Sequence, residues 1–178
     1  MNDALIRTAR LTMRPMTQSD APDFRDLVTR PEVARMLFLF PTDWTLREAG
    51  TFLDEWEWRG TLRFRLALIH ADRWVGWIGV TGGAEPEIFY ALGRDFSGRG
   101  FAREAVAAFA TFLFTRFATV ALTAGVFTDN PASARVLEAC GFVRTGEEVH
   151  PSRGRLAPAA CWVYRLANPK QADGDEIP

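Results

Sequence analysis

Hydrophobic positions repeat with two different periods along the chain, and the period separates predicted helices from predicted strands. Within residues 99–117 the apolar side chains recur at helical spacing, at Ala102, Ala105, Val106, Phe109, Phe112 and Leu113. Within residues 62–68 they alternate, at Leu62, Phe64, Leu66 and Leu68. The chain is therefore predicted to contain both helices and strands.

The same analysis predicts eleven main elements in the order β-α-α-β-β-β-α-β-α-β-β. The strands are expected at residues 5–13, 62–68, 74–80, 87–92, 120–127, 142–149 and 159–166. The helices are expected at 20–29, 45–58, 99–117 and 131–140, with a shorter helical piece at 33–37. This order predicts an α/β fold, with a central mixed, mostly antiparallel sheet of six to seven strands flanked by helices. We expect one domain over residues 1–167 and a flexible polar tail over 168–178.

Composition narrows the possible functions. The formal net charge of −1 over 178 residues gives no electrostatic reason to expect a nucleic-acid or membrane partner. No secretion signal is recognised, so Cys140 and Cys161 are expected to be reduced thiols in a cytoplasmic protein. His70 and His150 lack metal-ligand spacing, and no metal is expected. The sequence leaves a monomer and a homodimer equally open.

A glycine-containing turn precedes the clearest predicted helix. Gly98 and Gly100 allow a sharp turn and a close approach of the backbone to a ligand. The free N–H groups of the first helical turn and the helix dipole would then form an anion site suited to a pyrophosphate. A tight turn between a strand and a helix explains the same glycines without a ligand. The segment has neither the Gly-Lys-Ser/Thr of a Walker loop nor the position of a Rossmann fingerprint.

A second motif lies one predicted strand downstream. Residues 130–142 read NPASARVLEACGF, and residues 97–102 read SGRGFA. Together, and in this order, they resemble the GNAT N-acetyltransferases, in particular the branch of ribosomal-protein N-terminal acetyltransferases of the RimJ/RimL type. Ser97 stands where the family's acetyl-CoA loop usually has Gln or Arg. The resemblance covers about residues 5–166 and implies the GNAT fold, with a sheet splayed at the acetyl-CoA site.

The resemblance also implies the residues that would bind acetyl-CoA, the expected co-substrate. The pantetheine would pair near the strand that ends at Leu92, and the pyrophosphate would lie on the amides of residues 98–102. The implied binding residues are Leu92, Gly98, Arg99, Gly100, Phe101, Ala102, Asn130 and Ser133. The implied reaction is direct attack of a primary amine on the thioester through a tetrahedral intermediate.

Three residues are candidates for the catalytic groups. An alkylamine must lose a proton before it attacks, and Glu87 is the candidate base. Many GNATs carry a tyrosine as general acid where this chain has Leu137, so Ser133 is expected to assist the leaving sulfur, next to Asn130. Each residue also has a structural explanation: Glu87 as an ordinary strand carboxylate, Asn130 as a helix N-cap, and Ser133 as a partner of its own helix turn. For Tyr90, core packing with a satisfied hydroxyl is expected.

The acceptor amine is left open between a protein N-terminus and a small molecule. Residues 38–44 are expected to form an apolar rim near the acceptor. Residues 157–161 lack the acidic residue that often precedes the final strand in the RimJ/RimL branch. Two alternatives to an enzyme remain: an acyl-CoA sensor without turnover, and an interaction domain without a cofactor.

Overall fold

Residues 5–169 of the computed structural model form eight strands and five helices. The strands are β1 (Ile6–Arg7), β2 (Thr12–Pro15), β3 (Phe64–His70), β4 (Arg73–Val80), β5 (Ile88–Leu92), β6 (Ala121–Phe127), β7 (Val143–His150) and β8 (Ala159–Ala167). The helices are α1 (Ala21–Val28), α2 (Pro31–Ala34), α3 (Leu46–Glu55), α4 (Phe101–Arg116) and α5 (Pro131–Ala139). The mixed α/β fold with antiparallel sheets and flanking helices is confirmed.

The strands belong to two antiparallel sheets that meet at one point. The first sheet has the order β1-β2-β3-β4-β5, and the second has the order β6-β8-β7. A single parallel bridge between Glu87 and Thr123 joins them within the described residues. Beyond this bridge β5 and β6 form no ladder with each other, so the edge of β5 over Ile88–Leu92 faces a gap.

The side chains on the two faces of β3 pack into two different hydrophobic cores. Phe64, Leu66 and Leu68 belong to the core that also contains the buried face of α4. Ala67 belongs to the opposite core, which is built with α1 and α3. Arg65, on this second face, is also fully buried, with 1% of its surface exposed. Alternation along the strand therefore places helices on both faces of the first sheet.

Two predicted elements were wrong in their extent. The strand expected over 5–13 is a hairpin, because the Thr8 N–H donates to the Leu11 carbonyl and turns the chain between β1 and β2. This hairpin raises the number of strands to eight. The helix expected over 45–58 ends at Glu55, because the Trp56 carbonyl accepts from the Arg65 N–H of β3 and leaves the helical path.

The predicted tail lies mostly outside the described residues. At its start, Asn168 is buried, its backbone N–H donates to the Val120 carbonyl, and its side-chain amide donates to the Thr119 carbonyl. The flexibility predicted for residues 168–178 stays a prediction.

The close approach of β4 to β5 predicts a strong effect of Gly76→Ala on stability. A Cβ at Gly76 would lie 2.2 Å from the Ala91 carbonyl oxygen and 2.9 Å from the Leu92 Cα, and backbone atoms cannot move aside without displacing β5. We expect Gly76→Ala to lower the free energy of unfolding by about 1–3 kcal/mol in urea titrations. Gly82→Ala is the control, because a Cβ there meets nothing within 4 Å. Equal stabilities of the two variants would contradict the close packing of β4 on β5.

Candidate functional site

The gap between β5 and β6 is bordered by the two sequence motifs. The first motif leads from the end of β5 through a short 3-10 turn, Arg94–Phe96, into α4. The second motif begins α5 directly after β6. The predicted loop and the predicted helix start therefore lie at the same opening of the two sheets, although about 30 residues separate them in the sequence.

The loop before α4 has the backbone of an anion cradle. Gly98 and Gly100 have φ values of 73° and 81°, a region that side chains strongly disfavour. The first helical hydrogen bond runs from the Glu104 N–H to the Gly100 carbonyl, so the preceding N–H groups of this turn have no partner within the helix. The loop is exposed, whereas Phe101 is buried beneath it. These amides can hold a phosphate group at the positive end of the helix dipole.

Arg10 fixes this loop, and the sequence analysis did not identify it. Its Nη1 donates to the Arg99 carbonyl at 2.8 Å, and its Nε donates to Glu104 Oε2 at 2.7 Å. The Arg10 backbone N–H and the Thr8 hydroxyl donate to the other oxygen of Glu104. The Arg10 guanidinium also lies 4.6 Å from the centre of the Phe101 ring. The first hairpin thus holds the loop in its conformation.

Asn130, Ser133 and Tyr90 form one hydrogen-bonded group at the start of α5. Asn130 Oδ1 accepts from the Ser133 N–H at 3.2 Å, so Asn130 is the helix N-cap that its structural explanation requires. The Ser133 hydroxyl lies 2.8 Å from the Tyr90 hydroxyl, across the gap on β5. Burial raises the pKa of Tyr90 far above its ordinary value, although the hydrogen bond with Ser133 opposes the shift. The phenol therefore keeps its proton at neutral pH.

The position at which many GNATs carry a tyrosine is part of the core in this chain. Leu137 is completely buried on the face of α5 that packs against the first core. Tyr90 brings a phenol to the start of this helix from the neighbouring strand instead. Its hydroxyl is satisfied, as predicted, but its partner is the candidate acid Ser133. The spacing of sequence motifs cannot show this pairing, because the two residues are 43 positions apart.

Glu87 lies at the junction of the two sheets. Its Oε1 accepts from the Gly125 N–H at 3.1 Å, and its backbone N–H donates to the Thr81 hydroxyl. Burial raises the pKa of Glu87; the Gly125 N–H and His150 oppose this shift, and Glu148 adds to it. The side chain is thus a partly desolvated carboxylate with a raised pKa, the kind of group that can serve as a general base.

Aromatic and small residues surround Gly125 on the Glu87 side of the gap. A Cβ at Gly125 would lie 3.0 Å from the Phe38 ring, 3.2 Å from Glu87 Oε1 and 3.3 Å from Cys161 Sγ. The Phe38 ring in turn lies 5.3 Å from the His150 ring, centre to centre. Burial, with Glu87 nearby, raises the pKa of Cys161 to about 11, so its thiol is neutral. The absence of a side chain at Gly125 lets the Phe38 ring, the Glu87 carboxylate and the Cys161 thiol pack closely around it.

On the outer side of Phe38, two segments that are distant in the sequence contact each other. The Ser152 hydroxyl, between β7 and β8, donates to the Leu37 carbonyl, and the Arg153 N–H donates to the Phe38 carbonyl. A Cβ at Gly154 would lie 2.4 Å from the backbone of Ala34, so this loop packs directly on the chain after α2. The predicted rim at residues 38–44 is therefore held from outside by the loop between β7 and β8.

Alternation along β5 divides the candidate groups between its two faces. Tyr90 and Leu92 pack with the core of α4 and α5. Phe89 and Ala91 pack with the core of α1 and α3, and Glu87 is in phase with them. The candidate base and the candidate proton donor consequently approach the gap from opposite sides.

The raised pKa of Glu87 predicts a pH-dependent difference in stability between wild type and Glu87→Gln. A glutamate whose pKa is raised by folding stabilises the fold in its protonated form, and this contribution is lost as the pH rises through the raised value. Glutamine keeps the acceptor for Gly125 without a charge. We expect the stability of the variant relative to wild type to increase from about pH 4.3 towards neutrality in urea titrations. Glu32→Gln, at an exposed glutamate of α2, is the control, and an equal increase there would contradict the assignment to burial of Glu87.

Among residues 5–169 no helix is long and apolar enough to cross a membrane. The same part of the chain contains no group of three or more histidine, cysteine, aspartate or glutamate side chains placed to hold a metal ion.

Comparison with known proteins gives a consistent result. The chain is 29% identical over 158 residues to an uncharacterized N-acetyltransferase p20 of Bacillus licheniformis, a match that covers 84% of this chain and 89% of the relative. The spermidine N-acetyltransferase of Vibrio cholerae, solved with CoA and spermine, superposes with a TM-score of 0.79 at 16% identity over 93% of this chain and 99% of that one. The ribosomal L7/L12 α-N-protein acetyltransferase RimL, solved with coenzyme A, gives a TM-score of 0.76 at 16% identity over 93% and 98% of the two chains.

These two structures share the fold but are named for different acceptors, so the likeness does not single out the RimJ/RimL branch. Residues 10–143 match the family described as the acetyltransferase (GNAT) domain. The chain therefore belongs to the GNAT acetyltransferase family and is an acyltransferase enzyme.

Proposed function

We propose that this enzyme transfers the acetyl group of acetyl-CoA to a primary amine. The observation that carries the proposal is the arrangement around β5, where the half-buried Glu87 carboxylate, bonded to Gly125, and the half-buried Tyr90 phenol, bonded to Ser133, lie on opposite faces at the sheet opening. A deprotonating group and a proton donor on opposite sides of the reacting centre are what aminolysis of a thioester requires.

The loop at residues 97–102 fits the phosphate groups of acetyl-CoA. A Cβ at Gly98 would meet nothing within 4 Å, and one at Gly100 would meet only Arg10 Nη2, so no neighbouring backbone closes the space above the amides. Acetyl-CoA, when bound, supplies an acetyl group activated as a thioester. The amides of residues 98–102 would hold its pyrophosphate.

The edge of β5 has a second role in this proposal. Alternate N–H groups of an edge strand point away from its ladder, and β6 does not pair with them over Ile88–Leu92. These groups can donate hydrogen bonds to the pantetheine and to the carbonyl oxygen on which negative charge develops. Leu92 retains the binding role that the family resemblance implies.

The side chains of the site then move the two protons. Glu87 accepts the proton of the ammonium group, directly or through a water molecule, and the neutral amine can attack. On the other face the Tyr90 and Ser133 hydroxyls donate towards the leaving sulfur. Asn130 holds the start of α5, and with it Ser133, in position. The serine role predicted from the family is therefore shared with Tyr90.

A charge reversal in the loop tests the cofactor assignment. We expect Gly100→Glu to abolish the thermal shift produced by acetyl-CoA, because its carboxylate would repel the pyrophosphate. In the wild type, ligand at 100 times the Kd should add about 2.7 kcal/mol of stability, or roughly 2–4 °C in Tm. Gly83→Glu is the matched control: it has the same charge and also a positive φ, but lies in a different loop. A full thermal shift in Gly100→Glu would contradict the phosphate assignment.

Substitution of Glu87 tests the chemistry separately from binding. We expect Glu87→Gln to lower kcat by about 10²–10⁴-fold, because general base catalysis contributes a factor of this size. The thermal shift with acetyl-CoA should remain unchanged. The assay is release of free CoA thiol with a panel of primary amines, with Glu32→Gln as the control. An unaltered kcat in Glu87→Gln would exclude Glu87 as the base, and release of no CoA with any amine would oppose the proposed function.

A further inference from the structure

Arg65 is a buried cation with no anionic partner in the described structure. It lies in β3 with 1% of its surface exposed, and it forms no ion pair within residues 5–169. Its Nε and Nη1 have no hydrogen-bond partner there. Burial lowers the pKa of this arginine, and the neighbouring Arg63 lowers it further. A guanidinium nevertheless starts from such a high pKa that it stays charged at neutral pH.

Five aromatic rings enclose this guanidinium and form what we call the arginine cage. The ring centres lie between 4.3 and 5.5 Å from its Cζ and belong to Phe40, Phe52, Trp56, Trp77 and Phe89. The faces of the rings attract the cation, but they leave its in-plane N–H groups without acceptors. The aromatic contacts thus explain how the charge can be buried, but they do not provide acceptors for the N–H groups of the guanidinium.

The other unpartnered groups on this face are also donors. Trp77, whose ring touches the guanidinium, has a buried Nε1–H without a partner, and so does Trp74 on the same strand. No unpartnered buried side-chain acceptor is found on this face of the described structure. A buried cluster with a fixed positive charge and unused N–H groups has the chemistry to bind an oxyanion.

The cage adjoins Glu87 along two segments. On β5, Phe89 contacts the guanidinium two residues after Glu87 and on the same face of the strand. On the irregular segment before α3, Phe40 contacts the guanidinium, and Phe38 packs against Gly125 beside the Glu87 carboxylate. Two residues of extended chain span about 7 Å. An anionic group in the cage would therefore lie a few carbon atoms away from an amine at Glu87.

The Arg65 side chain can reach this position because the residue paired with it on β4 is a glycine. Arg65 is paired with Gly79 in the ladder, and Gly79 is paired with Phe89. A Cβ at Gly79 would lie 2.8 Å from Arg65 Cγ and 2.5 Å from the Phe89 ring. The side chain thus crosses β4 towards the strand that carries Glu87. The Arg65 side chain therefore lies along the sheet and does not extend to the surface of the protein.

From these contacts we propose that the arginine cage binds the carboxylate or phosphate group of the acceptor, and that the acceptor is an amine with an anionic group a few carbon atoms from its nitrogen. This inference rests on the proposed function for the position of the amine. The irregular segment that includes Phe40 covers the cage, so entry of the acceptor requires this segment to move aside.

The first experiment compares paired amines by turnover. We expect kcat/KM for γ-aminobutyrate to exceed that for butylamine, and the value for aminoethyl phosphate to exceed that for ethanolamine; the larger ratio identifies the preferred anion. Arg65→Met, which fills a similar volume without charge, should reduce the preference by about 10–100-fold, the range for hydrogen bonds to charged groups. Arg63→Met, an exposed arginine two residues away, should keep it. Equal values for the paired amines, with turnover present, would overturn the inference and leave the proposed function intact.

The second experiment needs no turnover. Titration with γ-aminobutyrate, a zwitterion that brings no counter-ion, should produce a saturable change in tryptophan fluorescence, because Trp56 and Trp77 touch Arg65. The change should persist in Arg63→Met and disappear in Arg65→Met. Trp77→Phe, which keeps an aromatic ring and removes one donor, should weaken binding by about 2–10-fold and serves if Arg65→Met does not fold. The absence of any change in the wild type, or the same change in Arg65→Met, would assign Arg65 to the core and overturn the inference, whether or not amines are acetylated.

Discussion

The hydrogen bonds of Glu87 hold together the point on which the site depends. The backbone of Glu87 forms the single bridge between the two sheets within the described chain. Its carboxylate accepts a hydrogen bond from the Gly125 N–H, which a continuing ladder would have bonded to a backbone carbonyl. A side chain thus replaces β pairing at the position where the strands separate. The sheets remain joined on one side of this position and open on the other, so the candidate base and the opening arise from the same local structure.

The separation of β5 from β6 gives each face of β5 its own environment. On one face Tyr90 lies against α5 and contacts the Ser133 hydroxyl, and on the other Phe89 contacts the rings of Trp56, just after α3, and Trp77 of β4. In a continuous sheet the edge of β5 would be paired with the next strand, and groups on its two faces could not reach a common ligand. Because this edge is open, side chains from both faces of β5 can approach a ligand that lies along it.

Local patterns were sufficient to predict most of the fold. The helical period around Phe109, the alternation around Leu66 and the glycines before α4 indicated the right elements in the right order, and the two motifs identified the family. What failed depended on individual hydrogen bonds that the periodicity of the side chains does not show. The Thr8 N–H bonds to the Leu11 carbonyl and makes a turn, and the Trp56 carbonyl accepts from Arg65 of β3 where α3 ends.

The candidate site shows the same limit. Residue types and spacing indicated Ser133 and Glu87, but could not show that Tyr90 meets Ser133 or that Arg10 holds the loop, since these pairs are 43 and 89 positions apart. Arg65 could not be predicted at all, because an arginine in an alternating strand is normally assigned to the solvent-facing side. Only the three-dimensional arrangement shows that this side is covered by α3.

The contacts between the loop after β7 and the chain after α2 have a counterpart on the other side of the site. The bonds from Ser152 and Arg155 to this chain span 115 and 120 residues, and those from Arg10 to the loop and the start of α4 span 89 and 94. The entropic cost of closing a loop grows only slowly with its length, so the two sets of contacts carry similar costs. Neither half of the site can therefore form as a local unit early in folding, and both are completed only when distant parts of the chain have come together.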